Sequence, residues 1–80
     1  MKRMTLNALL PGEHGIIEQV EAATSSIRQR LLEMGLTKGT EIELIRFAPM
    51  GDPIEISVRG YRLSLRRVEA ESVIVVKHSP

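Results

Sequence analysis

Only one pairing register satisfies the segment from Ile54 to Leu65. Ile54, Ile56 and Val58 alternate with Glu55 and Ser57, and Tyr61, Leu63 and Leu65 alternate with Arg62 and Ser64. A two-residue loop at Arg59-Gly60 sets Val58 opposite Tyr61, Ile56 opposite Leu63 and Ile54 opposite Leu65. Both apolar sets then share one face, and a slip of one residue would turn one set to solvent. An antiparallel hairpin is therefore required. Two strands alone are marginal in water, so the rest of the chain must supply further strands or a packed helix.

The segment Arg30-Leu31-Leu32-Glu33-Met34-Gly35-Leu36-Thr37-Lys38-Gly39 supplies the helix end. Ile27, Leu31 and Met34 recur at i, i+4 and i+7 on one helical face, whereas Arg28, Arg30 and Glu33 fall mostly on others. Gly35 suits the left-handed position just past a helix end, and Leu36 is then placed to pack back on Leu31. Ser26 with Gln29 fits a capping box, and Thr24 or Ser25 serves equally as cap.

Strand signals surround this helix. His14 to Val20 has strand composition with imperfect alternation. From Thr40 to Phe47, Ile42 and Leu44 alternate with Glu41 and Glu43, but Ile45 and Phe47 fall on the opposite parity. A bulge near Leu44 accounts for the slip, and an apolar spot left over there gives room for weak self-association. Ala48 to Pro53 is a loop fenced by two prolines. Arg66 to Glu71 is a polar connector with room for one helical turn. Ser72 to Lys77 lacks alternation, the pattern of a strand buried on both faces. Near the start, Thr5 to Leu10 reads as a short helical turn capped by Thr5, its leucines a lid on the core, ended by Pro11-Gly12.

The count predicts a mostly β fold of about five strands, with one α-helix between strands 1 and 2, bent into a small closed or nearly closed barrel. Eighty residues make one domain, 1–80, and its core must be aliphatic because Tyr61 and Phe47 are the only aromatics. Cysteine is absent, which removes disulfides and thiolate metal sites. Lysine and arginine number 11 against 10 acidic residues, so no strong field draws the chain to nucleic acid or an acidic membrane. The runs are too short to span a bilayer, and Met1-Lys2-Arg3 precedes no signal core. A cytoplasmic location is expected.

Several motifs together resemble the FeoA family, small cytoplasmic accessory proteins of bacterial ferrous iron transport. They are Thr5-Leu6, Leu9-Leu10-Pro11-Gly12, Arg30 to Leu36 with Lys38-Gly39-Thr40, Ala48 to Pro53, Val58-Arg59-Gly60, and Leu65-Arg66 ahead of Ala70 and the valine-rich last strand. The resemblance implies an SH3-like barrel. It also implies a partner, FeoB, the membrane transporter with a cytoplasmic GTP-binding domain. The same domain type resembles the C-terminal domain of iron-dependent repressors of the DtxR kind, but this chain has no room for a helix-turn-helix.

No nucleophile, base and orienting group can be read as a set, and Met50-Gly51-Asp52 lacks the lysine and serine of a phosphate loop. An enzyme is not expected. Candidate metal ligands are His14, His78, Glu13 and the four methionines. Both histidines stand at strand ends, where histidine is usually solvated, so no resident cofactor is expected and at most a transient Fe2+. Arg28, Arg30, Arg59, Arg62, Arg66 and Arg67 are interspersed with glutamates, and two aromatics offer few stacking platforms, so nucleic acid is not expected as a partner. A protein-binding surface is favoured, joining Arg30 and Glu33 of the helix to Pro49, Met50 and Gly51 of the loop. The readings that compete with an FeoB-binding adaptor are a ferrous-iron carrier or sensor and a small RNA-binding barrel.

Overall fold

A computed structural model describes residues 2–22 and 24–77. The strands are β1 (Lys2–Thr5), β2 (His14–Val20), β3 (Glu41–Phe47), β4 (Ile54–Val58), β5 (Tyr61–Leu65) and β6 (Val73–Lys77). Helix α1 (Ser25–Glu33) lies between β2 and β3, and the single-turn helix α2 (Arg67–Ala70) precedes β6. A short 3-10 turn covers Leu6–Ala8. All pairings are antiparallel, in the order β1-β6-β2-β3-β4-β5.

The hairpin forms in the register required by its alternation, from Ile54 opposite Leu65 to Val58 opposite Tyr61. Arg59 and Gly60 both take positive φ, 49° and 84°, the type I′ geometry whose twist matches that of the flanking strands. The expected bulge also forms, with the β3–β4 register shifting between Leu44 and Arg46. Phe47 consequently turns back to pack on the core, and Ile45 is half-buried, which leaves less exposed apolar surface there than the parity slip suggested.

Helix α1 ends as its sequence predicts. Gly35 has φ +92°, its amide donates to the Leu32 carbonyl at 3.0 Å, and the Leu36 amide donates to the Leu31 carbonyl at 3.1 Å. These are the two bonds of a Schellman motif, and Leu31 and Leu36 are both fully buried. The start differs from the capping-box expectation. Thr24 is the cap and accepts from the Ile27 amide at 3.2 Å, Ser26 lies inside the first turn, and Gln29 donates to Glu33.

Other expectations need correction. Among the described residues there are six strands where about five were expected: Lys2–Thr5 pairs with β6, although its basic, short sequence carries no strand period. Thr5 stands at the cap position of the 3-10 turn without a side-chain hydrogen bond. Of the supposed leucine lid, Leu6 and Leu9 are fully buried, while Leu10 is exposed. β6 is central, between β1 and β2, yet only Val73 and Val75 are buried; Ile74 and Val76 are half-covered. The sheet is not closed. It curls around the aliphatic core, helped by a second register shift between Ile17 and Gln19, but β1 and β5 remain its two edges. Lys2 and Arg3 on one edge and Arg62 on the other place charge where a bare edge would invite pairing. Gly15 permits a close crossing in β2, since a Cβ there would stand 3.1 Å from the Val75 side chain.

Candidate functional site

The helix–loop surface is built around a buried carboxylate. Glu69, the third residue of α2, reaches back to accept from the Arg66 amide at 2.9 Å, half of a capping box. That reach takes its carboxylate into the protein, where its side chain is only 6% exposed. Arg30 from α1 covers it, with Nη1 at 3.0 Å from Oε2. Asp52 accepts from the Arg67 amide at 3.1 Å and so ties the loop to the start of α2. Arg30, Asp52, Pro53, Arg66 and Glu69 line one groove of about 370 Å³.

Above this groove the loop is a fixed turn. The Gly51 amide donates to the Ala48 carbonyl at 2.7 Å, and the Ala48 amide donates to the Pro53 carbonyl at 3.0 Å. Gly51 holds φ +83°, and the Asp52–Pro53 peptide is cis. Pro49 and Met50 project from it; Met50 is 90% exposed. Of the five surface residues expected from sequence, Arg30 is therefore joined to the base of the loop carrying Pro49, Met50 and Gly51. Glu33 stays on the helix surface, accepting from Gln29 at 3.3 Å, and does not line the groove. Sequence reasoning missed Glu69 and Asp52, whose partners are distant in the chain.

The metal candidates among the described residues, which leave out Met1 and His78, do not converge. His14 Nδ1 lies 3.2 Å from Glu41 Oε2, while Nε2 lies 3.8 Å from Glu43 Oε1. Two carboxylates of β3 thus stand beside the exposed ring, one near each nitrogen, so the three groups do not converge on one point. The alternation of Glu41 and Glu43 could have shown that both share a face beside β2. His78 lies outside the described residues. Glu13 is engaged by Lys77 and accepts from the Leu10 amide at 2.7 Å. The Lys77 hydrogen bond, then the Leu10 amide, hold its carboxyl below the ordinary carboxylate value. Met4 and Met34 pack against the core. Among the described residues, no group of three His, Cys, Asp or Glu side chains is placed to hold an ion. Nor is any helix there long and apolar enough to cross a membrane.

A second polar cluster sits under the β4–β5 turn. Arg59 Nη2 donates to Thr40 Oγ1 at 3.0 Å and to Thr37 Oγ1 at 3.3 Å, and the two hydroxyls lie 3.0 Å apart. Lys38, Gly39, Thr40, Glu41 and Arg59 line a pocket of about 490 Å³. Lys38 also lines the adjoining groove with Arg28 and Leu32. Periodicity does not reveal this cluster, because its members come from two turns.

Residues 4–77 match the family model described as the FeoA domain. The chain belongs to the FeoA family. A relative in Porphyromonas gingivalis (strain ATCC BAA-308 / W83) is an Fe(2+) transport protein A/Fe(2+) transporter FeoB fusion protein, 36% identical over 72 residues. That match takes in 90% of this chain, which spans only 8% of the length of the fusion protein. Among solved structures, an iron uptake regulatory protein (FeoA) superposes with a TM-score of 0.85 at 36% identity, covering 98% of this chain and all of that one. FeoA of Stenotrophomonas maltophilia, complexed with zinc and described as a prokaryotic SH3 domain protein, gives 0.80 at 33% identity, covering 90% and 88%. The SH3-like FeoA fold expected from sequence is thereby established, in its open form.

Proposed function

We propose that this FeoA chain is a non-catalytic accessory module of ferrous iron uptake that binds the cytoplasmic part of an FeoB-type transporter and biases its GTP-linked cycle. The observation that carries this reading is the fusion of the same domain to FeoB in the Porphyromonas gingivalis relative. A tether of that kind raises effective concentration to about the millimolar range, which matters only where the tethered parts meet. The Stenotrophomonas maltophilia relative has been put forward as a ferrous iron transport activating factor, in line with the same role.

The surface assigned to the contact is Arg30, Glu33, Pro49, Met50 and Gly51. Met50 is a large apolar side chain held out on a turn that is already fixed, so ordering it on a partner takes little conformational entropy. A module of this size shifts a conformational equilibrium only through a difference in affinity between the partner's states. The test is calorimetric titration into the soluble GTPase domain with GDP, with a non-hydrolysable GTP analogue and without nucleotide. Binding is expected, and stronger in one nucleotide state. Met50→Asp should weaken it by about tenfold or more while leaving thermal stability unchanged, because the side chain touches little of its own fold. Absence of binding in all three states, or full binding by Met50→Asp, would refute the assignment.

A further inference from the structure

We infer that the cleft under the β4–β5 turn is a second docking site, one that takes a short acidic segment of a protein partner through its carboxylates. Three cations line it and the groove it joins at Lys38, and all three lack an acidic partner among the described residues: Arg28, Lys38 and Arg59. The two glutamates in these walls are drawn elsewhere. Glu18 pairs with Arg3 and Glu41 with His14. Three cations against these two carboxylates leave the lining with a net positive charge.

Arg59 is also held in place. Its backbone sits in the left-handed region at φ 49°, and its guanidinium is fixed by the Thr37 and Thr40 hydroxyls through Nη2 alone. The guanidinium is therefore oriented in advance, with its Nε and Nη1 donors to spare for a carboxylate. Thr40 is buried, so its hydroxyl is a firm support. Leu32, 38% exposed and one turn along α1 from Arg28, adds an apolar step. This combination fits an acidic segment with an aliphatic residue. It suits a single-stranded nucleic acid less well, because none of its lining residues is aromatic and bases would find no face to stack on.

This cleft is separate from the helix–loop surface. On α1, Arg28 and Arg30 point about 160° apart at 3.6 residues per turn, on opposite sides of the stripe that buries Leu31. Losing one surface therefore leaves the other to be tested.

The experiment is amide chemical-shift mapping of the full chain titrated with a blocked pentapeptide of four acidic residues around one leucine. Saturable shifts are expected at residues 37–41, at Arg59 and Gly60, and at Leu32. Lys38→Gln and Arg28→Gln should each weaken binding roughly fivefold, the scale of an exposed charge pair. Arg59→Lys, which keeps the charge and loses the fork, should weaken it by about tenfold. Among the described residues the Lys38 and Arg28 side chains make no hydrogen bond or ion pair, so their variants guard against misfolding as the cause. Three results would overturn the inference: no saturable shift in the cleft at about 10 mM peptide, unchanged affinity in Lys38→Gln, or equal or tighter occupancy of the cleft by inorganic phosphate or single-stranded RNA.

Discussion

Replacing Gly35 by alanine probes how the helix end is joined to the hairpin. Gly35 lies at φ +92°, where a Cβ costs about 1–2 kcal/mol. The new Cβ would also stand 3.1 Å from Tyr61 Oη, tighter than ordinary contact. That hydroxyl donates to the Met34 carbonyl at 2.7 Å, and moving it away forfeits a bond worth about 1 kcal/mol. Gly35→Ala should therefore destabilise by about 2–3 kcal/mol, lowering Tm by roughly 10–20 °C in a domain of this size. In a Tyr61→Phe background the obstructing oxygen is gone and its bond already lost. Only the backbone strain then remains, so the double variant should be about 1 kcal/mol more stable than the two single losses predict. The reduced freedom of unfolded alanine offsets the strain a little, but equally in both backgrounds, and cancels in the cycle. Equilibrium urea unfolding of the four proteins measures each term. Strict additivity would show that the hydroxyl does not feel the new methyl, and would refute the coupling between helix end and β5.

Other substitutions test separate features. Glu69→Ala removes both the Arg66 amide contact and the Arg30 ion pair from a buried position, and should cost about 1–3 kcal/mol by the same unfolding assay. Arg30→Ala should be destabilising too, because it leaves the buried carboxylate uncovered, which makes Met50→Asp the cleaner probe of partner binding. Gly15→Ala puts a methyl 3.1 Å from Val75 between β2 and β6 and should cost about 1–3 kcal/mol, eased in a Val75→Ala background. Glu13 has its folded pKa lowered by Lys77 and the Leu10 amide, so its stabilising share is present above the unfolded carboxyl's pKa and is lost as pH falls through the lower folded value. Glu13→Gln should accordingly flatten the acid limb of a stability–pH profile and leave its slope near neutrality unchanged.

Features governed by a dozen neighbouring residues could be read from the sequence. The β4–β5 register, the Schellman end at Gly35, the bulge after Leu44 and the turn that exposes Met50 each follow from local alternation, glycine or proline placement. What escaped depends on pairing between distant segments. Lys2–Thr5 becomes a strand only because β6 offers it an edge, and nothing in its own residues has a period of two. A closed or nearly closed barrel is one way to hide sheet edges, whereas charged residues on β1 and β5 protect them without closure. Arg30 reads as an exposed helix residue until α2 brings Glu69 beneath it. His14 is exposed at the start of β2, as its strand-end place implies, and only the β2–β3 pairing shows that Glu41 and Glu43 stand beside it.

The place of β6 has a consequence for how the chain folds. The segment synthesised late is the one that holds β1 and β2 together, since each pairs with β6 and not with the other. The first sixty-odd residues can form α1 and the β3–β4–β5 meander by local steps, yet β1 has nowhere to pair until β6 arrives. Closing that long loop is the entropically demanding event in such an assembly. A chain stalled or cut before Val73 would carry a folded hairpin with its aliphatic face uncovered, a form prone to association and proteolysis. For the same reason Lys2 and Lys77 lie side by side in the finished domain, so a tether at either end would hold the domain at the same edge of the sheet.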